Sequence, residues 1–470
     1  MADTVFVRRD IWSLAPDNPV VTSYAAAIEL MRDRPSSDPT SWTYQAAIHG
    51  SGAPSPPPLA NECRHQGWYF LPWHRMYLYY FEQIVRAAVI ETGGPEDWAL
   101  PYWNYGRNGR NATLPRPFRP PPAGLAALAM PRNPGINTGA TIPPEITSSQ
   151  RALARRIYTG VAEFGGGDTG PGQFEGETGR LEQTPHNDIH VAIGGFMGNP
   201  DTAALDPIFW LHHANIDRLW AVWNGQRRLN PSDDDWVDQT FSFFDADGTE
   251  VSKACGEVDD TIADLGYTYR PSPAPARRVT PAPAVPPEAI LTGSSRESEP
   301  ELVGASEQPV ELVGTPARVT VPIDQRAAAG LLADTDARAA PRRVYLNVED
   351  IEAEQNPGTV YGIYVNLPEG APPDVAALHY AGNVSFFGIE RARDPRGDEH
   401  GHGMRVAMEI TDLVRDLRET GDWDDETLDV VFKPIELILP EVPDDDDAVL
   451  MASERENPPV SIGRVSVFFA

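Results

Sequence analysis

The sequence predicts a multi-domain protein, with a mainly α-helical domain at the N-terminus and a β-sandwich at the C-terminus. Three observations support this fold class. The chain has 470 residues, which exceeds one ordinary domain. Its first half holds long aromatic and aliphatic stretches with a period of 3.6 residues, as amphipathic or buried helices have. Its last third holds short β-branched runs separated by Gly, Pro and Asp turns, which is typical of a β-sandwich.

The helical stretches include "HRMYLYYFEQIVRAAVIE" and "DPIFWLHHANIDRLWAVWNGQ", and the strand-like runs include "RRVYLNVEDI", "TVYGIYVNL" and "IGRVSVFFA". Between the helical and the strand-like regions lies "RPSPAPARRVTPAPAVPPEAI". It has neither a helical nor a strand periodicity, which predicts an extended linker. We therefore predict a helical domain over 1–270, a proline-rich linker over 271–297 and a sandwich over 298–470. One helix, "MEITDLVRDLRETG", interrupts the sandwich and should stop at Gly421.

Charge and composition exclude several classes of partner. The chain has 68 Asp plus Glu against 38 Lys plus Arg, a net charge of -30 that repels phosphate backbones and anionic lipid. No apolar stretch reaches the roughly 18 residues of a membrane helix, and no signal peptide is evident. We expect no nucleic-acid or membrane partner and a cytoplasmic location, while the oligomeric state stays open. Two cysteines, Cys63 and Cys255, leave at most one disulfide.

Histidines cluster in the helical domain. In "PHNDIHVAIGG", His186 and His190 are four residues apart, so both imidazoles project from one face of a helix that begins near Pro185. In "FWLHHANIDRLW", His212 and His213 point about 100° apart, so only one of them can join a given site. A third block, "CRHQGWYFLPWH", carries two more histidines before a helical run.

A lone histidine in an aromatic helix is more often a hydrogen-bonded core residue than a metal ligand. Taken together, several imidazoles on strongly apolar helices need buried partners for two nitrogens each, and a metal ion satisfies them at once. An all-imidazole ligand set suits copper, zinc, iron or nickel. Helices that face each other across a bundle core are a natural frame for a two-metal centre.

The histidine blocks resemble the binuclear, type 3 copper sites of the tyrosinase, catechol oxidase and molluscan hemocyanin superfamily, over about residues 1 to 270. The resemblance implies a four-helix bundle that holds two copper ions per chain. It assigns the ligands of the first copper to His49 in "YQAAIHG", His65 in "CRH" and His74 in "LPWHRMYLYYFE". It assigns those of the second to His186, His190 and His213.

Neighbouring residues acquire roles through the same resemblance. Cys63 matches a cysteine that many family members link by a thioether to the imidazole two residues on, here His65; the alternative is a buried free thiol. "RRD" near the N-terminus and "YTY" at 267–269 resemble the arginine and tyrosine motif that closes the catalytic domain. Asp217 either holds a ligand imidazole through a nitrogen hydrogen bond or pairs with a neighbouring arginine on the surface.

The implied reaction uses O2 and phenolic small molecules. Monophenols are hydroxylated ortho to their oxygen, and o-diphenols are oxidised to o-quinones. Glu182 and Asn187 in "LEQTPHN" resemble the pair proposed in tyrosinases to hold a water that takes the phenol proton, which favours a tyrosinase. A catechol oxidase is the close alternative. A hemocyanin-like oxygen carrier is disfavoured, because the chain has one copper domain and no secretion signal.

The pocket rim is assigned to Val191, Met197 and Phe209, and a small valine without an evident aromatic gate predicts an open entrance. The downstream domain resembles the C-terminal domain of long-form polyphenol oxidases, which covers the copper pocket and inserts a plug side chain. "HYAGNVSFFGIERARD" offers Phe386 and Phe387, with Phe387 the assigned plug; strand alternation sends at least one of them into the core. "DEHGHGM", with His400, His402 and Met404, is either a transient copper-capturing site or an exposed loop.

Overall fold

The computed structural model describes residues 5–172, 174, 176–270, 300–324, 342–392, 403–423, 426–440 and 458–470. The predicted linker 271–297 lies outside these residues, and so do His400 and His402 of the suggested copper-capturing loop. The predicted fold class is confirmed, with a helical N-terminal domain followed by a β-sandwich. The last strand of the first domain ends at Arg270 and the first strand of the sandwich begins at Glu301; the domain boundaries themselves stay a prediction.

The helical domain contains four helices that carry the histidines, together with further helices and two small strand pairs. Its helices are α1 (Pro19–Asp33), α2 (Trp42–His49), α3 (Phe70–Glu91), α4 (Pro134–Thr138), α5 (Pro144–Thr147), α6 (Gln150–Ala154), α7 (Asp188–Ile193), α8 (Pro207–Gly225) and α9 (Asp234–Val237). A π-helical turn, Glu182–Asn187, leads directly into α7. Its strands are β1 (Phe6–Arg9), β2 (Thr240–Phe244), β3 (Glu250–Ala254) and β4 (Tyr267–Arg270).

Capping and packing place the four histidine-bearing helices α2, α3, α7 and α8. Helix α2 begins after Ser41, whose hydroxyl accepts from the Tyr44 backbone N–H. Helix α8 begins after Asp206, which accepts from the Ile208 N–H, and Pro207 occupies its first position. Both α3 and α8 bury most of their length among tryptophan and other aromatic side chains. Histidines on these helices are therefore held in a rigid, close-packed core.

A parallel pair of strands, β1 with β4, joins the two ends of the helical domain. Arg8 on β1 and Tyr267 and Tyr269 on β4 all contact Asp217 of α8, and Arg75 of α3 donates to the same carboxylate. This buried network fits the closing role that the two motifs imply. Asp217 thus pairs with arginines and tyrosines, which decides between the two roles suggested for it.

The sandwich consists of two antiparallel sheets. One has the order β10-β9-β12-β7; the other has the order β11-β8-β13-β5, with β6 also paired to β13. The strands are β5 (Glu301–Ala305), β6 (Val310–Leu312), β7 (Ala317–Pro322), β8 (Val344–Ala353), β9 (Tyr361–Val365), β10 (Tyr380–Val384), β11 (Met404–Glu409), β12 (Thr427–Pro434) and β13 (Val460–Phe469). Their inward faces share one aliphatic core.

Among its described residues, the sandwich domain has three helices: α10 (Pro373–Leu378), α11 (Ile389–Ala392) and α12 (Thr411–Thr420). Helix α12 is the one predicted from "MEITDLVRDLRETG", and it ends at Gly421, which has a φ of +83°. It starts later than predicted, because Met408 and Glu409 complete strand β11. None of the described helices is both long enough and apolar enough to cross a membrane.

Candidate metal centre

The six histidines assigned as ligands converge in the middle of the bundle. His49 ends α2, His74 lies in the second turn of α3, and His65 lies in the loop between these helices. His186 lies in the π-helical turn, His190 in α7 and His213 in α8. All six are at most 3 % exposed. The sequence spreads them over 165 positions, and the bundle brings them together.

Backbone carbonyls fix the orientation of three of these rings. The Nδ1 atoms of His49, His74 and His190 lie 2.9, 2.8 and 2.8 Å from the carbonyl oxygens of Pro200, Phe70 and Met197. A carbonyl can only accept, so each Nδ1 carries the proton and each Nε2 presents a lone pair to the interior. This is the tautomer that a metal-binding histidine takes when a neighbour holds its other nitrogen.

Several Nε2 atoms of the six rings face one another across the centre of the bundle. The Nε2 atoms of His49 and His65 are 3.4 Å apart, and that of His213 is 3.3 and 3.2 Å from those of His186 and His190. Among the described residues, the buried Nε2 of His74 has no hydrogen-bond partner. Burial lowers the pKa of all six imidazoles, so they are neutral. These residues therefore fit a bound metal cation.

A seventh imidazole, His212, also lines the centre. Its ring stacks on His186 at a centroid distance of 5.3 Å, and its Nδ1 lies 3.1 Å from the Tyr105 hydroxyl. The interatomic distances group it with His186, His190 and His213 as a potential ligand. The sequence allowed only one of His212 and His213 in a given site, and the family resemblance chose His213. The structure brings both rings to the centre, because two rings on different faces of one helix can both contact a third ring, here His186. The only sequence signal for His212 was its position beside His213.

Glu182 and Asn187 contact different ligand imidazoles. The Glu182 carboxylate lies 3.1 Å from His65 Nδ1 and accepts the Gln66 backbone N–H at 2.9 Å. The Asn187 Oδ1 lies 2.8 Å from His186 Nδ1. Glu182 is fully buried, and this burial raises its pKa to about 8 although backbone donors oppose the shift. Both residues thus lie at the edge of the imidazole cluster.

Cys63 is buried close to His49 and His65, within the distances of a potential ligand group. Burial raises the pKa of its thiol to about 11, although Arg391 of the sandwich donates to the sulfur at 3.6 Å. Both Cys63 and Cys255 are free thiols, so the disulfide that the sequence left open does not form. The thioether between Cys63 and His65 stays a prediction.

The residues assigned to the pocket rim are all buried. Phe209 packs against His213, with ring centroids 4.1 Å apart. Met197 reaches the centre through its carbonyl, which holds His190. Val191 contributes its carbonyl to Asn133, whose side-chain amide donates to it at 3.2 Å. Of the three, Phe209 has the direct ring contact.

Phenylalanines cover the cluster. Phe387 leaves the sandwich core and stacks on His190, with centroids 4.1 Å apart and planes at 20°, whereas Phe386 stays inside the sandwich core. Phe174 stacks on His65, with centroids 4.9 Å apart and planes at 20°. The sequence reasoning missed Phe174, because it lies in a glycine-rich loop without a motif. The expectation of an open entrance, which rested on Val191, is wrong for this closed state, because Phe387 and Phe174 cover the imidazoles.

Comparisons with known proteins agree with this geometry. The family described as the common central domain of tyrosinase matches residues 39–151 and 137–226, and the polyphenol oxidase middle domain matches 230–282. A domain family of unknown function matches 299–470. Tyrosinase HcTyr1 of Hahella sp. is 36 % identical over 91 % of this chain and 95 % of its own length. The chain belongs to the tyrosinase family.

More distant tyrosinase-family proteins extend the similarity to the sandwich. A chloroplastic polyphenol oxidase of Malus domestica is 25 % identical over 87 % of this chain and 72 % of its own length. The structure of latent apple tyrosinase shares the fold, with a TM-score of 0.63 at 23 % identity over 99 % of this chain and 97 % of that one. This tyrosinase-family chain is a copper oxidase of the tyrosinase and polyphenol oxidase type. An oxygen carrier is disfavoured, and family membership implies that the imidazole cluster binds copper.

Proposed function

We propose that the protein is a latent tyrosinase with two copper ions per chain. One ion is held by His49, His65 and His74, and the other by His186, His190 and His213. The observation that carries this proposal is the convergence of buried, neutral imidazoles whose Nε2 atoms face one another. His212 supports the second group from the side. The alternative is a catechol oxidase, which acts on diphenols alone.

The proposed reactions consume O2 and balance without another reductant. One monophenol and one O2 give one o-quinone and one water; two o-diphenols and one O2 give two o-quinones and two waters. Copper, when bound, supplies the oxygen binding and the electron transfer. The protein's part is to hold neutral imidazoles in fixed orientations, which the carbonyls of Phe70, Met197 and Pro200 do.

Monophenols need a proton acceptor that diphenol oxidation does not need to the same degree. A free phenol has a pKa near 10, so about one in a thousand is ionised at pH 7, and forming the phenolate costs about 4 kcal/mol. We assign this step to a water held between Glu182 and Asn187. Support comes from their contacts with His65 and His186, which belong to different metal sites.

The sandwich accounts for latency through Phe387. Its ring lies flat on His190 and also contacts His65 and His186, with centroids 5.7 and 5.8 Å away. A planar phenol that stacks on the same imidazole would occupy the same space. Substrate entry therefore requires Phe387 to withdraw, and the residues on either side of it hold the closed state.

The test compares the full-length chain with Phe387→Ala. We expect two coppers per chain in both proteins, little O2 uptake by the parent, and uptake by the variant on tyramine and on catechol. Uptake on catechol alone would indicate a catechol oxidase. A copper-loaded variant that stays inactive on both tyramine and catechol would contradict the enzyme assignment. Equal activity of the parent and the variant would contradict latency.

The proton-accepting pair is tested by Asn187→Ala and Glu182→Gln in the Phe387→Ala background. We expect the tyramine rate to fall by about tenfold or more, since general-base assistance contributes at least that much. The catechol rate should fall much less. Equal losses of rate on both substrates, at unchanged copper content, would contradict the proposal that Glu182 and Asn187 hold the proton-accepting water.

A further inference from the structure

The two imidazoles that carry a stacked phenylalanine are covered by different domains. Phe387 covers His190 and belongs to the sandwich. Phe174 covers His65 and belongs to the helical domain, in a glycine-rich loop whose described residues are 165–172, 174 and 176–179. Because both rings contact His65, they lie on neighbouring sides of one imidazole. The pocket that Phe387 vacates is therefore bordered by Phe174.

The loop of Phe174 is held by the segment that follows His65. The Trp68 backbone N–H donates to the Gly167 carbonyl at 3.0 Å, and the Trp68 indole N–H donates to the Thr169 carbonyl at 2.9 Å. A Cβ on Gly176 would lie 2.2 Å from the Gln66 carbonyl oxygen, so only glycine allows this approach. These contacts lie within the helical domain. In the same loop, Glu177 also pairs with Arg405 of the sandwich at 3.1 Å, so the contacts to Trp68 and Gln66 are the ones that can keep Phe174 in place when the sandwich moves.

Phe174 also fits closely against the plug segment. A Cβ on Gly388, directly after Phe387, would lie 2.6 Å from the Phe174 ring. The Arg391 guanidinium lies 5.5 Å from the same ring centroid. The closed state thus fills the space beside Phe174 with sandwich residues. In the open state that space is the part of the pocket next to His65.

We propose that Phe174 is a specificity-determining residue that limits the size of ring substituents on the phenol. The inference rests on the proposed function, because it places the substrate ring where Phe387 stacks on His190. A substituent that extends from that position towards His65 meets the Phe174 ring. Small catechols fit beside it, and bulky catechols collide with it.

The experiment compares Phe387→Ala with the double variant Phe174→Ala, Phe387→Ala, both as full-length, copper-loaded protein. O2 uptake gives kcat and KM for catechol and for 4-tert-butylcatechol. We expect the ratio of kcat/KM for the bulky to the small substrate to rise by about tenfold when Phe174 is removed, as the loss of a steric wall implies. The change should lie mainly in KM for the bulky substrate.

Two further variants keep the result interpretable. Phe174→Leu, which retains part of the bulk, should give an intermediate ratio and carries the test if the alanine variant does not fold. Phe6→Ala in the Phe387→Ala background is the matched control. Phe6 is also half-buried and lies 3.4 Å from an arginine, Arg86, but it is on strand β1. The control should leave the substrate ratio unchanged.

The failure of this inference differs from that of the proposed function. An unchanged ratio in a variant that oxidises catechol would overturn the role of Phe174 and leave the enzyme assignment intact. Equal losses on both substrates would show that Phe174 only supports His65 structurally. That result would also overturn its role in substrate specificity. Absence of uptake in Phe387→Ala itself would overturn the proposed function first.

Discussion

Two anchors hold the plug segment, and they differ in chemistry. On the N-terminal side of Phe387, the Asn383 amide is buried and donates to the Asp188 carboxylate at 2.7 Å and to the Glu145 carbonyl at 2.8 Å. On the C-terminal side, Arg391 forms an ion pair with Asp201 whose side chains are 16 % and 32 % exposed. The Asn383 anchor therefore depends on buried hydrogen bonds, whereas the Arg391 anchor depends on a charge that solvent screens. Solvent conditions should loosen them separately.

Removal of the Asn383 amide should have the largest effect on latency. Asn383→Ala removes one donor from the buried Asp188 carboxylate, which costs about 1–3 kcal/mol, and also removes the bond to the backbone carbonyl of the exposed residue Glu145. We expect catechol oxidation by the full-length chain to increase by about tenfold or more. O2 uptake without any activating treatment measures this.

A control separates loss of the anchor from general unfolding. Leu378→Ala changes an exposed side chain, 64 % accessible, at the end of α10. It lies shortly before strand β10, which carries Asn383. It should leave both latency and the melting temperature unchanged. If Asn383→Ala stayed as inactive as the parent with full copper content, the anchor on this side would not hold the plug.

The Arg391 anchor should have a smaller effect that depends on salt. Arg391→Gln removes the pair with Asp201 and weakens the bond to Asn61, whose side chain accepts at 3.0 Å. Partly exposed ion pairs contribute up to about 1 kcal/mol, so catechol oxidation should increase by about threefold. In the parent, 1 M salt should produce part of the same increase through screening. Salt should have no such effect on the Arg391→Gln variant, and a persistent salt effect there would place the screened contact elsewhere.

Much of the site followed from the sequence because its chemistry lies in local spacing. The i, i+4 pair His186 and His190 is readable from helix geometry, and the structure brings the two rings together as expected. The choice of His213 from the "LHHA" block came from the family resemblance, and the structure places His213 beside both rings. His49, which has no motif beyond the family resemblance, lies among them. The sandwich was readable from alternation and turns.

The features that sequence did not reveal depend on contacts between distant segments. His212 turns its ring onto His186 although its own helix face differs from that of His213. Phe174 reaches His65 only because the glycine-rich loop lies against Gln66. The sequence placed Phe386 and Phe387 on an alternating strand, but β10 ends at Val384 and both residues lie beyond it; one ring still enters the sandwich core and the other the helical core. Tertiary packing decided each of these.

The smallest expected effect is on the pH dependence of opening. Glu409 at the end of β11 accepts from Arg155 of the helical domain at 2.7 Å, side chains 14 % and 18 % exposed. Burial raises the pKa of Glu409, but the donors Thr411 and Arg155 outweigh it and lower the pKa below its usual range. A lowered pKa in the closed state means that this contact stabilises closure above about pH 4.5 and is lost as the pH falls through the lowered value.

We therefore expect acid to promote opening, seen as increased catechol oxidation at pH 6 in samples assayed immediately after brief exposure to low pH. Glu409→Gln should be slightly more active than the parent before treatment, because the ion pair is absent. It should also gain less from acid, since the variant has no carboxylate to protonate at this contact. If both proteins gained equally, acid would open the molecule through other carboxylates, and the Arg155 contact would be a passive part of the interface between the two domains.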